Sequence, residues 1–388
     1  MTESAISVHK LVQTVVRENL EEKAKKQWAE TALRLVAAAF PFDENDPKTW
    51  HDSERLLPHV LATTSHAETL KVAQEVAGLL LEKAGLYLRT RAQYREAKKI
   101  LERALAVEAT CWGPTHTNVA RVNTNLGRVT RDLGEFSEAR TYFERALAIL
   151  EGAEAPDHLE VANVLDKLGG LLEELHALDE AREHLERALK IHETTHGAND
   201  PNVASSMLKL GRLLTKLGDL EQARVQFEGA LSIIETAYGA DNIHVAVCLN
   251  SLGGVLHDLG QLTEAQRHYQ RALSIREAAF GPNHPTVAKT LNNLGLVLRD
   301  LGQLPEARKQ LEQALAISEA TFGPHNPEVG KNVNNLGRVL EKLGDRDGAR
   351  KCYARALEIF RNSYGEDHPH TLKVASYLKT LTDGESGT

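Results

Sequence analysis

Small residues recur in this chain every 42 positions, and they hold that interval through seven copies without an insertion. Ala97, Ala139, Ala181, Ala223, Ala265, Ala307 and Ala349 form one column. Twelve residues before each stands a glycine: Gly85, Gly127, Gly169, Gly211, Gly253, Gly295 and Gly337. Seven residues after each stands a second alanine, running from Ala104 through Ala146, Ala188, Ala230, Ala272 and Ala314 to Ala356. A strict period of this length implies an array of supersecondary units, each burying its apolar face only by stacking on its neighbours.

The residues between the small columns say what the unit is. Leu101, Phe143, Leu185, Phe227, Tyr269, Leu311 and Tyr353 form one large apolar column. Four residues on, Leu105, Leu147, Leu189, Leu231, Leu273, Leu315 and Leu357 form another. That offset puts both on one face of a helix. Two helices approach to about 8 Å only where the crossing side chains are small, so the glycines mark a first helix A and the alanines a second helix B. The turn between them carries Gly134, Gly218, Gly260, Gly302 and Gly344, suited to a left-handed cap. Ala92 and His176 hold that slot in two copies, where a less ideal turn is expected. Between copies, Gly281-Pro282-Asn283-His284-Pro285 and its relatives at Gly323 and Gly365 stop one helix and start the next. The histidines of these links, His116, His158, His284 and His368, are expected to cap and pack. The column Trp112, Glu154, His196, Tyr238, Phe280, Phe322, Tyr364 reads as a packing position ahead of the link.

The formal charge of −8 over 388 residues gives no bulk attraction to nucleic acid or an anionic membrane. Cys111, Cys248 and Cys352 are scattered and odd in number, which suits a reducing compartment rather than a disulfide framework. Neither a signal-type apolar segment nor a membrane-length run is read in the sequence, so a cytoplasmic location is expected.

These columns resemble those of tetratricopeptide repeats. The stretch LNNLGLVLRDLGQLPEARKQLEQALAISEATFGPHNP, Leu291 to Pro327, is similar to the long repeats of kinesin light chains. The resemblance runs over roughly residues 72–380 and implies an all-α, right-handed superhelical solenoid with helix A of every repeat lining a concave groove. The expected organisation is an N-terminal helical segment over 1–70, seven repeats over 71–365, and a capping helix with a tail over 366–388. Ser7 to Leu20 and Trp28 to Trp50, followed by Arg55-Leu56-Leu57-Pro58-His59, lack the 42-residue register. They resemble the junction between an NB-ARC module and the repeats of STAND signal-transduction ATPases, in which His9 would match the phosphate-sensing histidine. The phosphate loop GxxxxGK[ST] is absent from the sequence, so no nucleotide cofactor is expected in this chain, and a partner NB-ARC module in a longer protein is.

Helix A positions not required by the core fall six and three residues before the glycine, one after it, and four or five after it, on a single stripe. In the last three copies the stripe contains Asn250, Asn292 and Asn334 as a ladder, with Lys289, Arg299, Lys331 and Arg338 around it. Arg128, Arg131 and Arg212 occupy equivalent places in earlier copies. An asparagine amide both donates and accepts, so the ladder suits the backbone of an extended peptide. Arginine favours carboxylates. In kinesin light chains the asparagines of such an LNN pattern line the cargo groove. The expected partner is therefore a protein or peptide presenting an extended, acidic segment. The resemblance implies the sensor domain of a STAND signalling protein, with a stand-alone kinesin light chain-like adaptor as the alternative.

A third reading is a zinc hydrolase, because His192-Glu193-Thr194-Thr195-His196 matches HExxH. Two histidines leave zinc short of its usual three protein ligands, His196 falls in the aromatic column, and His192 aligns with Glu108, Arg276 and Ser318, which read as solvent-facing. With no nucleophile–base pair at a repeated spacing either, no enzyme and no metal site are expected.

Overall fold

A computed structural model describes residues 19–155 and 157–383. His9 and most of Ser7–Leu20 lie outside the described residues. Those described form helices and no strand. α1 (Glu22–Ala39) and α2 (Trp50–Leu70) precede seven hairpins. The hairpins are α3/α4 (Gln74–Thr90, Tyr94–Trp112), α5/α6 (Thr117–Asp132, Phe136–Glu151), α7/α8 (His158–Glu174, Leu178–His196) and α9/α10 (Pro201–Leu217, Leu220–Tyr238). They continue as α11/α12 (Ile243–Asp258, Leu262–Phe280), α13/α14 (Pro285–Asp300, Leu304–Phe322) and α15/α16 (Pro327–Lys342, Arg346–Tyr364), and α17 (Pro369–Asp383) follows. Trp28 to Trp50 is not one helix: Phe40 to Asp46 is irregular and leads through a short 3-10 turn, Pro47–Thr49.

The chain divides into two compact units, Met1–Ile191 and His192–Thr388. In each, a first helix packs on its own second helix, and that second helix on the next first helix. Successive first helices also touch one another, α3 on α5 and α5 on α7 in one unit, α9 on α11, α11 on α13 and α13 on α15 in the other. That contact places the first helices on the tighter side of each stack.

The small columns are buried completely, both alanine positions being fully buried in every copy. The glycines lie under the large apolar column rather than opposite the alanines. A Cβ on Gly127 would stand 2.7 Å from the Phe143 ring, and one on Gly295 2.6 Å from Leu311 Cγ. The second leucine column is shallower, with Leu105, Leu231, Leu273 and Leu315 only half-buried. All seven intra-hairpin turns adopt the left-handed conformation, including Ala92 at φ 57° and His176 at φ 58°. The fold thus imposes on an alanine and a histidine a geometry that glycine adopts without steric cost.

From the second hairpin on, first helices begin on side-chain caps, whereas α3 starts after Ala73 without one. Asp157, Asp200, Asn242, His284 and Asn326 each accept a hydrogen bond from a backbone N–H two residues on, as does His116 from Asn118 at 3.2 Å. Such caps satisfy donors that the helix leaves open. His158 lies one residue past the cap Asp157 and is exposed. The aromatic column ahead of the links is half-exposed, Phe280 at 47% and Tyr238 at 51%. Its rings stack on the link histidines, Phe280 on His284 at 4.5 Å and Tyr364 on His368 at 4.3 Å.

The outer ends are covered. Leu33, Phe40, Phe42 and Val60 join Tyr87 and Leu81 in one buried cluster over the first hairpin. At the other end α17 packs on α16 with Val374 and Leu381 buried, whereas Leu372 points outward.

Candidate binding face

The stripe expected to bind is occupied mainly by first-helix side chains, and hydrogen bonding divides it into two sets. One set links successive copies. Arg89 Nε donates to Asp132 at 2.6 Å, Arg131 Nε to Glu174 at 3.0 Å, and His257 Nε2 lies 3.0 Å from Asp300. Each pair is 43 residues apart, one more than the repeat, so neighbouring first helices are staggered by one position. Arg299 is 5% exposed and donates through Nε and Nη2 to its neighbour Asp300 at 2.8 and 2.7 Å. The hydrogen bond from Arg299 is the main cause holding the Asp300 carboxyl down to about 2, with His257 adding to it. Arg128 donates to Glu44 and, at 3.3 Å, to Asn125. The charges of Arg128, Arg131 and Arg299 are thus already engaged by carboxylates of the protein.

The same stagger organises the asparagines. Asn335 Nδ2 donates to Asn292 Oδ1 at 2.9 Å, and Asn293 Nδ2 to Asn250 Oδ1 at 3.4 Å. In the first copies Asn125 Nδ2 donates likewise to Glu82 at 2.8 Å, with Arg121 beside it at 2.9 Å. Burial there raises the Glu82 pKa against the pull of Arg121. Asn293 and Asn335 are the residues that reading the ladder alone missed; comparing copies at an offset of 43 would have found them. The amide oxygens of Asn250 and Asn292 are held, and their Nδ2 groups have no partner among the described residues. Asn334 ends the ladder, and its Oδ1 is buried with no partner among the described residues.

The second set faces outward. Lys289 and Arg212 are exposed and make no ion pair among the described residues. Lys331 is half-buried and pairs with Glu328 on its own helix at 2.6 Å. Arg338 lies 5.9 Å over the Tyr377 ring of α17. Asn292, Lys331, Asn334 and Arg338 come together with Asn335, Phe360, His370, Lys373 and Val374 around a cavity of about 240 Å³. Asn250, Lys289 and Arg212 stand elsewhere on the first-helix side of the same unit, and Arg128 and Arg131 belong to the other unit.

The column of Glu108, Arg276 and Ser318, expected in solvent, is buried. Arg276 donates to Thr286 O at 3.1 Å, Asn332 to Ser318 Oγ at 2.7 Å, and Asn118 to Glu108 at 3.1 Å. The next first helix covers this stretch of each second helix, and polar partners replace water there. His192 and His196 lie on the last turns of α8 with ring centroids 5.9 Å apart. Among the described residues no three His, Cys, Asp or Glu converge as metal ligands. No helix of the described residues is long and apolar enough to cross a membrane.

The tetratricopeptide repeat family pattern matches residues 75–152, 160–236, 202–278, 244–320 and 329–381. The chain is a tetratricopeptide-repeat protein. No curated protein matches it. Among solved structures it is similar to BtubC (BKLC) from P. vanneervenii, at 23% identity and a TM-score of 0.53, covering 60% of this chain and 92% of that one. It is also similar to the apo form of RapI, at 15% identity and a TM-score of 0.58, covering 73% and 97%. A putative kinesin light chain with nearly identical TPR-like repeats from Podosopora anserina aligns at 21% identity and a TM-score of 0.47, covering 54% and 99%. These likenesses concern the fold. Tetratricopeptide arrays are interaction scaffolds, generally without catalysis, whose stacked helices present long continuous binding surfaces.

Proposed function

We propose that this tetratricopeptide-repeat protein holds an extended, acidic protein segment against the first helices of its last four repeats, in the manner of an adaptor. The observation that carries the reading is the fixed polarity of the asparagine ladder. With the oxygens of Asn250 and Asn292 tied to the next copy, the ladder offers Nδ2 donors to a ligand. Lys289, Arg212, Lys331 and Arg338 add further donors, all cationic. A surface of donors selects a partner rich in acceptors, namely backbone carbonyls and carboxylates. Arg299, Arg131 and Arg128 support the stack and stand outside this contact set.

The test is the binding of a short fluorescent peptide of alternating glutamate and serine, measured by anisotropy across a salt series. Affinity falling with salt, and falling further in a Lys289→Ala/Lys331→Ala variant, supports the reading. Salt-insensitive binding, or equal binding by the variant, overturns it. An NB-ARC module encoded in frame upstream would make the same face the sensor of a STAND switch, with the ligand favouring the open arrangement. The source transcript distinguishes that arrangement from a stand-alone adaptor.

A further inference from the structure

The cavity at the end of the last repeat differs from the rest of the face in three respects. It is closed on one side by α17, which contributes His370, Lys373 and Val374. It gathers three cations, Lys331, Arg338 and Lys373, and among the described residues one carboxylate pairs with them, that of Glu328 on Lys331. It also holds the end of the asparagine ladder. Every earlier oxygen of the last three copies accepts from an asparagine 43 residues on, but for Asn334 that position falls on α17, at Tyr377, and Asn334 Oδ1 is left buried without a donor among the described residues. A buried carbonyl oxygen without a partner carries an uncompensated desolvation cost, so this site gains more than a solvated one from a ligand bearing an N–H.

The charge excess identifies the anion. Three cations and one carboxylate leave two positive charges, the complement of a phosphate monoester, which carries about −1.5 to −2 at neutral pH, rather than of a single carboxylate. Glu328 is exposed, its side chain 58% accessible, so exchanging it for a ligand oxygen on Lys331 costs little. Burial, with the charges of His368, Lys331 and Lys373 beside it, lowers the pKa of His370. Its backbone N–H already donates to His368 Nδ1 at 3.2 Å. Phe360 and Val374 are buried apolar residues on the wall of the cavity and bound its polar part.

We propose that this cavity binds the phosphate of a phosphoserine or phosphothreonine in a bound protein segment, the dianion lying among Lys331, Arg338 and Lys373 and the residue's backbone N–H donating to Asn334 Oδ1 once the Asn334 amide turns its oxygen from the wall into the cavity. The inference rests on the peptide-binding reading above and adds a regulated anchor to it: a kinase acting on the partner would strengthen docking at the C-terminal end of the face.

Three probes test it by calorimetry on the full chain: N-acetyl-O-phosphoserine N-methylamide, its N-acetylglutamate counterpart, and inorganic phosphate. The expected order is the blocked phosphoserine tightest, about tenfold or more over the blocked glutamate, with inorganic phosphate weaker for lack of the N–H. Lys373→Ala, at an exposed site on α17, should reduce phosphoserine binding about tenfold and leave the helical circular dichroism unchanged. Equal binding of phosphoserine and glutamate, no binding of phosphoserine, or full binding by Lys373→Ala overturns the pocket. Inorganic phosphate binding as tightly as the blocked phosphoserine overturns the role of Asn334. Lys289 lies outside the cavity, so the salt-dependent peptide assay on a Lys289→Ala variant reports the groove separately, and failure of the pocket is distinguished from failure of the groove.

Discussion

Gly169 and Gly170 are adjacent on α7, yet the same substitution should stabilise at Gly170 and fail to stabilise at Gly169. A Cβ added at Gly170 meets nothing within 4 Å. Replacing a mid-helix glycine by alanine gains about 1 kcal/mol from propensity, so Gly170→Ala should stabilise by about that amount. At Gly169 the new Cβ would stand 2.7 Å from Leu185 Cγ and 2.8 Å from its Cδ2. Leu185 is 1% exposed, and Cγ is not the free end of a side chain, so the leucine cannot swing aside. Overpacking of this kind costs about 1–3 kcal/mol. Set against the same gain in propensity, Gly169→Ala should come out between neutral and about 2 kcal/mol destabilising, which places the two variants about 1–3 kcal/mol apart. Urea unfolding followed by circular dichroism measures the difference, and hydrogen exchange over α7 and α8 localises it. If Gly169→Ala stabilises as much as Gly170→Ala, the close approach of the paired helices is not what the glycine column provides.

Four further outcomes follow from the same contacts. Asn335→Ala should cost about 1 kcal/mol through its bond to Asn292, and a double-mutant cycle with Asn292→Ala should return a coupling of similar size. Asp300 has its carboxyl lowered from 3.8 to about 2 in the fold; the stability it contributes is present above 3.8 and is lost as pH falls through about 2. With its partial exposure discounted, that contribution is on the order of 1 kcal/mol, so Asp300→Asn and wild type should differ at about pH 6 and converge near pH 2 in parallel urea titrations. Cys248 is fully buried and its thiol is pushed up to about 11 by burial; a thiol reagent near neutral pH should label Cys111 and Cys352 first, and Cys248 only as urea opens the fold. Arg276→Met should be better tolerated than Thr290→Val, because the latter leaves the buried guanidinium without a side-chain partner; thermal melts of the two compare them directly.

The repeat was legible because its small residues answer to a steric demand that each copy meets separately. Ala97 and its six successors can be nothing larger where two backbones converge, and so they mark the register without any structure. The left-handed turn at Ala92 and His176 was less legible, since there the stack imposes a conformation the residue does not prefer. The charged stripe was the hardest part to read. Arg131, Arg299 and Lys289 look alike on a helix projection, but the first two meet carboxylates and the third does not. Arg299 meets its sequence neighbour Asp300, whereas Arg131 is engaged through the one-residue stagger between neighbouring first helices, which pairs it with Glu174 and His257 with Asp300 at a separation of 43. Copies aligned at the repeat length hide that relation. The burial of Arg276 and Ser318 is hidden for a related reason: the covering helix comes from the next copy, and helical periodicity within one copy does not register it.

The most direct measurement is the footprint of the bound segment. A photo-crosslinking analogue of the glutamate–serine peptide, activated on the full chain and mapped by mass spectrometry, should label α11, α13 and α15, at residues neighbouring Asn250, Asn292 and Asn334. Labels concentrated on the second helices α10, α12 and α14 instead would contradict the assignment of the donor-lined first-helix face as the place where this protein holds its partner.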